Sequence, residues 1–332
     1  MFVSRASKSI AVCATTLAFG LALFSAVTFA QVPNKGTLQV VSSGYPHDSI
    51  YSIAFEGVNG IAVGTFGLML TTIDGGSTWK KVDKALTQDA LFSVVRRSGK
   101  CLASSQLGII LRSDDCNSWE SIKPISNARL LAIDVNSSGH AVSVGSFGTI
   151  MTSADWGKTW NQTDAPWKTI LGQEAEPHLY ATSIDEAGVI TIAGEFELLM
   201  RSVNSGKSWT VLHKGAHSLF ALQVSSDGQI YAVGQEGLIL KSSNNGTSWS
   251  KIKTSSNALL TDIWLSRDTK TVVATGMRTL LQSKNSGKSF KADTSSLVTQ
   301  SALPAVTGYE SAGQKNTIFI SGSAGQILKE VY

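Results

Sequence analysis

The chain has 332 residues, a formal net charge of +4 and a hydrophobic fraction of 42%. Two of the positive charges, Arg5 and Lys8, lie in the first thirty residues, so the remainder carries 26 Lys and Arg against 24 Asp and Glu. Such a nearly neutral domain argues against a nucleic-acid partner, which requires a basic stripe.

The first thirty residues resemble a secretory signal. Arg5 and Lys8 precede an apolar run from Ile10 to Phe29, and Ala30 provides the small residue that suits cleavage. We therefore predict a signal peptide over residues 1–30 and an exported domain over residues 31–332, in a periplasmic or lumenal compartment. A retained membrane anchor stays open as the alternative, because the apolar run is nearly long enough to span a bilayer.

One short phrase then recurs six times between Thr72 and Phe290: a hydroxyl residue, an Asp or Asn, a Gly, a second hydroxyl and an aromatic. The six pairs of acid or amide and closing aromatic are Asp74 and Trp79, Asp115 and Trp119, Asp155 and Trp160, Asn204 and Trp209, Asn244 and Trp249, and Asn285 and Phe290. The closing aromatics are 40, 41, 49, 40 and 41 residues apart. A period near forty in a chain of short strands predicts a β-propeller with one four-stranded antiparallel blade per repeat.

The residue types of this phrase predict a turn. We expect the Asp or Asn oxygen to accept backbone N–H groups two residues further on, and the Gly to adopt a positive φ. The closing aromatic is too large and apolar for a solvated turn, so it is expected to anchor the next strand against a neighbouring blade. A device that appears once per blade indicates a structural role for all twelve residues.

A second repeated element precedes each turn and predicts the hairpin between the second and third strands of a blade. The third residues of these hairpin turns are, in blade order, Phe66, Leu107, Phe147, Phe196, Glu236, Arg278 and Ala324. Seven hairpins predict seven blades. The seventh blade ends at Tyr332 without a turn phrase, so we predict that the strand-like run Thr37–Val41 completes it and closes the ring.

Two departures from the repeat indicate a partner-binding surface. The long connection Asn161–Pro177 contains Trp167, and long connections on a rigid scaffold often carry function. The tip residues Phe66, Leu107, Phe147 and Phe196 are large and apolar, which a turn does not require. We predict that these residues and Trp167 bind a protein partner, with Glu236 and Arg278 orienting it. Local packing of the tip side chains over the blade edges stays open as the alternative.

The sequence shows no catalytic set, and we predict neither an enzyme nor a bound cofactor or metal. A metal site of His178, His213 and His217 with Glu174 or Glu176 is conceivable because both connections emerge on one face. Asp134, Asp185 and Asp262 follow the predicted first strands, which leaves a glycosidase-like or sialidase-like hydrolase as the alternative function. Cys101 and Cys116 belong to one blade, and export would permit a disulfide between them; whether they pair stays open.

The stretch from Tyr51 to Trp79, with its Gly64-Thr-Phe-Gly67 hairpin and its Asp74 turn, resembles the photosystem II stability and assembly factor family. The resemblance extends over the chain beyond residue 30 and is strongest in blades 1, 3 and 5. It implies a seven-bladed propeller of secreted or lumenal address that acts as a non-catalytic scaffold or assembly factor. It also implies a protein partner, from a membrane or envelope complex, for a chain that we expect to be monomeric.

Overall fold

The computed structural model of the protein describes residues 36–82, 86–123, 126–310 and 316–331. The signal peptide predicted over residues 1–30 lies outside these ranges. Within them, no helix combines the length and the apolar character needed to cross a membrane.

The described residues form short strands of two to seven residues. In chain order the strands are β1 (Gln39–Ser42), β2 (Ile50–Glu56), β3 (Asn59–Gly64), β4 (Met69–Thr72), β5 (Lys80–Lys81), β6 (Leu91–Arg97), β7 (Lys100–Ser105), β8 (Ile110–Ser113), β9 (Trp119–Ile122), β10 (Leu130–Val135), β11 (Ala141–Gly145), β12 (Ile150–Ser153), β13 (Asn161–Thr163), β14 (Leu179–Ile184), β15 (Ile190–Gly194), β16 (Leu199–Ser202), β17 (Thr210–His213), β18 (Leu219–Val224), β19 (Ile230–Gly234), β20 (Ile239–Ser242), β21 (Ser250–Ile252), β22 (Leu260–Leu265), β23 (Val272–Gly276), β24 (Thr279–Ser283), β25 (Lys291–Ala292), β26 (Val306–Tyr309), β27 (Thr317–Ser321) and β28 (Ile327–Val331). The helical elements are α1 (Trp167–Leu171), α2 (Ser296–Thr299) and three 3-10 turns, Thr65–Gly67, Gln235–Gly237 and Ser323–Gly325.

These strands assemble into seven four-stranded antiparallel sheets. Six sheets contain consecutive strands, in the orders β2-β3-β4-β5, β6-β7-β8-β9, β10-β11-β12-β13, β14-β15-β16-β17, β18-β19-β20-β21 and β22-β23-β24-β25. The prediction of an all-β propeller with seven four-stranded blades is therefore confirmed.

The seventh sheet joins the two ends of the propeller. Its order is β1-β28-β27-β26, with Gln39 opposite Lys329 and Val40 opposite Leu328. The N-terminal strand thus completes blade 7, as predicted, although it runs over Gln39–Ser42 rather than Thr37–Val41. Because β1 pairs with β28, the edge that β28 would otherwise leave open in blade 7 is covered.

The hydrophobic core lies within and between the blades. The second strands β11 and β15 are buried along their whole length, whereas the fourth strands β13 and β17 contain only exposed and half-buried residues. The aromatic that closes each turn phrase packs on the preceding blade: Trp160 of blade 3 contacts a cluster that contains Leu102 of blade 2. Trp160 is 6% exposed. The packing of Trp160 is that expected of a side chain that anchors its strand against a neighbouring blade.

Each turn phrase satisfies its own backbone through its side chains. In blade 3 the Ser153 hydroxyl donates to Asp155 Oδ1 over 2.8 Å, and it accepts the N–H of Gly157 over 3.0 Å. Asp155 Oδ1 also accepts the N–H of Thr159 over 2.9 Å. The expected reach of two residues is wrong for this turn, because the side chain spans four residues.

The shortened phrase of blade 2 keeps the shorter reach, since the N–H of Asn117 donates to Asp115 Oδ1 over 2.8 Å. The predicted positive φ of the turn glycine is found at Gly157, with φ +72°. The residue before it is also left-handed, with φ +63° at Trp156, and five of the six turns contain two successive left-handed residues. In blade 1 the backbone N–H and the hydroxyl of Thr78 lower the pKa of Asp74 to about 2.

Candidate functional site

Hairpin tips and blade connections lie on one face of the propeller, which we call the hairpin face. In blades 1, 3 and 5 the tip of the hairpin docks on the connection that leads to the next blade: the N–H of Gly67 donates to the Asp89 carbonyl, that of Gly148 to the Pro177 carbonyl and that of Gly237 to the Ala258 carbonyl, each over 2.8 Å. The turn phrases occupy the opposite face, which we call the Asp-box face. The two repeated sequence elements therefore define the two faces of the molecule.

The third residue of most hairpin tips has a left-handed backbone. The φ angles are +52° at Phe66, +54° at Phe147 and +62° at Phe196. Phe66, Leu107 and Phe147 are 66%, 55% and 67% exposed, while Phe196 is half-buried. Left-handed backbone costs a non-glycine residue about 1–2 kcal/mol. At Phe66 and Phe147, large apolar side chains are therefore exposed to solvent at positions whose left-handed backbone favours glycine.

The remaining predicted partner-binding residues lie on the same face. Glu236 and Arg278 are exposed at the tips of blades 5 and 6, and Ala324 is half-buried at the tip of blade 7. Trp167 begins helix α1 in the long connection, and its ring packs against the tip of blade 3, since a Cβ atom at Gly148 would lie 2.3 Å from Trp167 Nε1. Trp167 thus combines a packing role with a place on the hairpin face.

A cleft of about 940 Å³ opens over blade 3. Its lining includes Arg129, Phe147, Trp167, His178 and Tyr180. Aromatic contacts connect these side chains: the ring centroids of Phe147 and His178 are 5.1 Å apart, and those of His178 and Tyr180 are 6.2 Å apart. Phe147 is therefore in contact with one ring while most of its own surface is in solvent.

A series of apolar side chains around the mouth of the central channel is absent from the sequence-based prediction. Its members are the second residues of five successive first strands, Tyr51, Phe92, Leu131, Tyr180 and Phe220, and all are half-buried. Neighbouring rings touch, with centroids 5.7 Å apart for Tyr51 and Phe92 and 4.8 Å apart for Tyr180 and Phe220. A sequence pattern could have revealed this series, because each of its residues follows a buried Ile or Leu.

A second missed feature is Glu197, which replaces glycine at the tip of blade 4. Its carboxylate is 1% exposed, and it contacts His213 Nε2 over 3.0 Å and His217 Nδ1 over 2.9 Å. Burial alone would raise the pKa of Glu197, but hydrogen bonds from His213, His217 and Lys251 lower it to about 2. The hydrogen bond with Glu197 raises the pKa of His217. This cluster links the tip of blade 4 to the connection between blades 4 and 5.

Two of the three histidines considered as metal ligands, His213 and His217, therefore meet at Glu197 rather than at His178. His178 accepts the N–H of Phe147 through Nδ1 over 3.2 Å, away from the Glu197 cluster. Across the described ranges, no three His, Cys, Asp or Glu side chains converge in a way that would hold a metal ion.

The three carboxylates considered for hydrolysis make structural hydrogen bonds. Asp134 Oδ2 accepts the N–H of Ile184 over 2.9 Å and joins blades 3 and 4, while Asp262 Oδ2 accepts that of Val306 over 2.8 Å and joins blades 6 and 7. Asp185 Oδ1 accepts the N–H of Val189 within its own loop over 2.8 Å. Burial raises the pKa of Asp134 to about 6 and that of Asp262 to about 7. Each of these acids thus holds backbone in place.

Blade 2 contains a disulfide. Cys101 on strand β7 and Cys116 in the shortened turn are bonded, with Cα atoms 5.2 Å apart, and both are buried. Cys116 has φ +57° and occupies the left-handed turn position that Trp156 takes in blade 3. The bridge therefore fixes the one turn phrase that has lost its glycine.

Seven four-stranded blades with six side-chain-bonded turns define the protein as a seven-bladed propeller of the Asp-box type. The family model described as photosynthesis system II assembly factor YCF48 matches residues 111–219, a stretch that contains the cleft and the long connection. This match confirms the predicted resemblance to the photosystem II assembly factors over that part of the chain. A comparison with curated protein sequences finds no match.

Two solved structures are similar over nearly the whole chain. One is YCF48 bound to D1 peptide, with a TM-score of 0.69 and 19% identity over 91% of this chain and 96% of that chain. The other is YCF48 from Cyanidioschyzon merolae, with a TM-score of 0.70 and 20% identity over 88% of this chain and 98% of that chain. At this level of identity the likeness establishes the shared propeller fold.

Proposed function

We propose that the protein is an exported, non-catalytic assembly factor that binds a protein subunit of a membrane or envelope complex through its hairpin face. The observation that carries the proposal is the exposure of Phe66, Leu107 and Phe147 at 55–67% on one face of a rigid ring. Turn tips with left-handed backbone do not need such side chains for folding. Their apolar surface is free to be buried against a partner.

The comparisons support the same kind of partner. The similar structure named YCF48 bound to D1 peptide is a propeller in complex with a protein segment. The family match covers Phe147 and Trp167, which belong to the surface in question. We propose that this chain likewise binds a protein partner rather than a cofactor or a nucleic acid, and that it acts as a monomer.

Apolar burial, rather than a basic patch, supplies the affinity in this proposal. The chain beyond residue 30 is nearly neutral, and Glu236 and Arg278 are the charged residues among the third residues of the seven hairpin turns. Charges at the rim of an interface mainly steer and orient a partner, whereas buried aromatic side chains contribute most of the binding free energy. Glu236 and Arg278 would therefore fix the orientation of a partner that Phe66, Phe147 and Trp167 hold.

A capture experiment tests this proposal. The tagged protein is expressed in its native cells and recovered from detergent extracts of their membranes, beside the double variant Phe66→Gly with Phe147→Gly. Glycine suits the left-handed backbone at both sites, so the fold is expected to stay intact. The matched control is Ile73→Ser with Val203→Ser, which removes two equally exposed apolar side chains from the Asp-box face.

We expect a membrane-complex subunit to be captured by the parent and by the control, and to be lost from the double glycine variant. Equal capture by all three proteins, or loss only in the Asp-box control, would overturn the proposal. So would turnover of a glycoside by the purified parent that disappears when one hairpin-face carboxylate is changed. Fractionation of the same cells tests export, which predicts a periplasmic or lumenal protein that lacks residues 1–30.

A further inference from the structure

The cleft over blade 3 has a polar group at each end and an aromatic centre. Arg129 immediately precedes strand β10, the first strand of the blade, and so lies at the channel end of the cleft. Asp164 immediately follows β13, the fourth strand, and so lies at the outer rim. Phe147, at the tip between the second and third strands, stands between them. The cleft therefore runs along the radius of the propeller.

The charges at the two ends of the cleft have no polar partner among the described residues. Across the residues that the structure describes, neither the Arg129 guanidinium nor the carboxylates of Asp164 and Glu176 make a hydrogen bond or an ion pair. Elsewhere in the same connection Lys168 and Glu174 do pair, over 2.6 Å. Opposite charges that face one cleft without meeting each other are available to a ligand that carries the complementary charges at a matching distance.

Aromatic side chains form the walls between these charges. Phe147 is 67% exposed, while Trp167 is half-buried and held against Gly148. Tyr180, on the inner strand of blade 4, extends this apolar surface towards the channel. A ligand that bridges the two charged ends must therefore bring an apolar group to the middle.

The width of the blade sets the distance between the two charged ends of the cleft. Neighbouring strands lie about 4.8 Å apart, so the first and fourth strands of a blade are separated by about 14 Å, which is the length of about four residues of extended chain. We propose that this cleft binds an extended protein segment that carries an acidic residue for Arg129, an apolar side chain for Phe147 and Trp167, and a basic residue for Asp164 and Glu176. The acid and the base are about four positions apart. The proposal rests on the proposed function and assigns the partner a recognisable segment.

Synthetic peptides test this spacing and polarity with the purified full-length chain. The probe is the fluorescein-labelled peptide Lys-Ser-Phe-Ser-Glu, acetylated and amidated so that its ends are neutral, and binding is followed by fluorescence anisotropy. Three control peptides replace Phe with Ser, or make the two charged residues both Glu or both Lys. We expect the probe to bind about tenfold more tightly than each control.

Charge-reversal variants identify the cleft as the site. Arg129→Glu should weaken binding of the probe about tenfold and improve binding of the peptide with two Lys residues, because the inner end then attracts a cation. Asp164→Lys should likewise improve binding of the peptide with two Glu residues. The matched control is Lys158→Glu, which makes the same change as Arg129→Glu at an exposed site of the same blade on the Asp-box face. Melting temperatures establish that each variant is folded.

Equal affinity for all four peptides, no binding of the probe at about 1 mM, or equal weakening by Lys158→Glu and Arg129→Glu would overturn the cleft proposal. If the peptides fail while capture from membranes still depends on Phe66 and Phe147, the cleft proposal is wrong and the proposed function stands. If the peptides bind as expected while no subunit is captured, the proposed function fails and the cleft remains a peptide site.

Discussion

The two faces of the propeller use repeated turns in opposite ways. On the Asp-box face, each turn directs its polar side chains back onto its own backbone, as Ser153 and Asp155 do for Gly157 and Thr159. On the hairpin face, the backbone is satisfied by the neighbouring connection, as at Gly148 and Pro177. The tip side chain is then not needed for the turn, and it varies from Phe to Glu, Arg and Ala. The face whose tip side chains are not required by their own turns is the one suited to binding.

The largest expected effect is on the Asp-box face. Trp249 packs with a cluster that includes Leu199 of blade 4, and its indole N–H donates to the Gly246 carbonyl over 3.1 Å. Trp249→Ala should lower the free energy of unfolding by about 3 kcal/mol, because it leaves a cavity between two blades. Urea denaturation measures this. A loss below about 1 kcal/mol would contradict the anchoring role.

An intermediate effect is expected where first strands join the blades. Asp262 occupies the position of Ser52 and Ser93, whose hydroxyls accept N–H groups of Val94 and Ile133 from the next blade. The pKa of Asp262 is raised from 3.8 to about 7 in the folded protein. Its contribution to stability is therefore fully present below about pH 4 and is lost as the pH rises through 7.

Asp262→Ser keeps the interblade hydrogen bond and removes the charge. It should reduce the loss of stability between pH 5 and pH 8 by on the order of 2 kcal/mol, as measured by urea denaturation at the two pH values. The parent protein serves as the reference, and the pH dependence that remains in the variant is expected from Asp134 and His217, whose pKa values are also raised. An unchanged pH dependence in the variant would show that Asp262 ionises freely in the folded state.

A smaller loss of unfolding free energy is expected when the polar side chain of a turn phrase is removed than when its closing aromatic is removed. Asn244 Oδ1 accepts the N–H of Ser248 over 2.9 Å, so Asn244→Ala should cost about 1 kcal/mol of unfolding free energy. Asn244→Asp is the matched control, because Asp155 makes the same bond in blade 3, and it should be nearly neutral. Equal losses for the two variants would show that the side-chain bond is not what stabilises the turn.

The smallest effect is expected on the hairpin face. Phe147→Gly relieves about 1 kcal/mol of left-handed strain and removes a ring contact with His178 of similar size. The free energy of unfolding should therefore change by less than about 0.5 kcal/mol. A loss of about 2 kcal/mol or more would show that Phe147 serves local packing, and would remove the contrast between the two faces.

The sequence predicted the fold almost completely because the blade is a local repeat. The phrase around Asp155 and the hairpin around Gly148 recur at a constant spacing, so the blade count, strand order and ring closure followed from short patterns. The predicted reach of the Asp or Asn side chain was wrong, because in an isolated turn this side chain usually accepts a backbone N–H two residues further on. The four-residue reach depends on two successive left-handed residues, and glycine marks only one of them.

The binding face was less predictable because it depends on departures from the repeat. The substitution at Glu197 is visible in the sequence, but its contacts with His213 and His217 depend on the path of the following connection. The channel-mouth series that includes Tyr51 and Phe92 needs the register of the first strands, which shifts by one residue after Ile50 and Leu91. Arg129 and Asp164 become opposite ends of one cleft only when four strands lie side by side.

The closure of blade 7 has a consequence for synthesis. Strand β1 is among the first described segments of the chain, and its partner β28 is the last. While the ribosome makes the intervening blades, β1 must remain unpaired, since its partner strand does not exist until β28 emerges. Distant contacts of this kind slow folding and leave strand edges exposed in the meantime. The nascent chain therefore has the greatest need of a holding chaperone until β28 has been made, and a product that lacks β28 is a natural substrate for quality-control proteases.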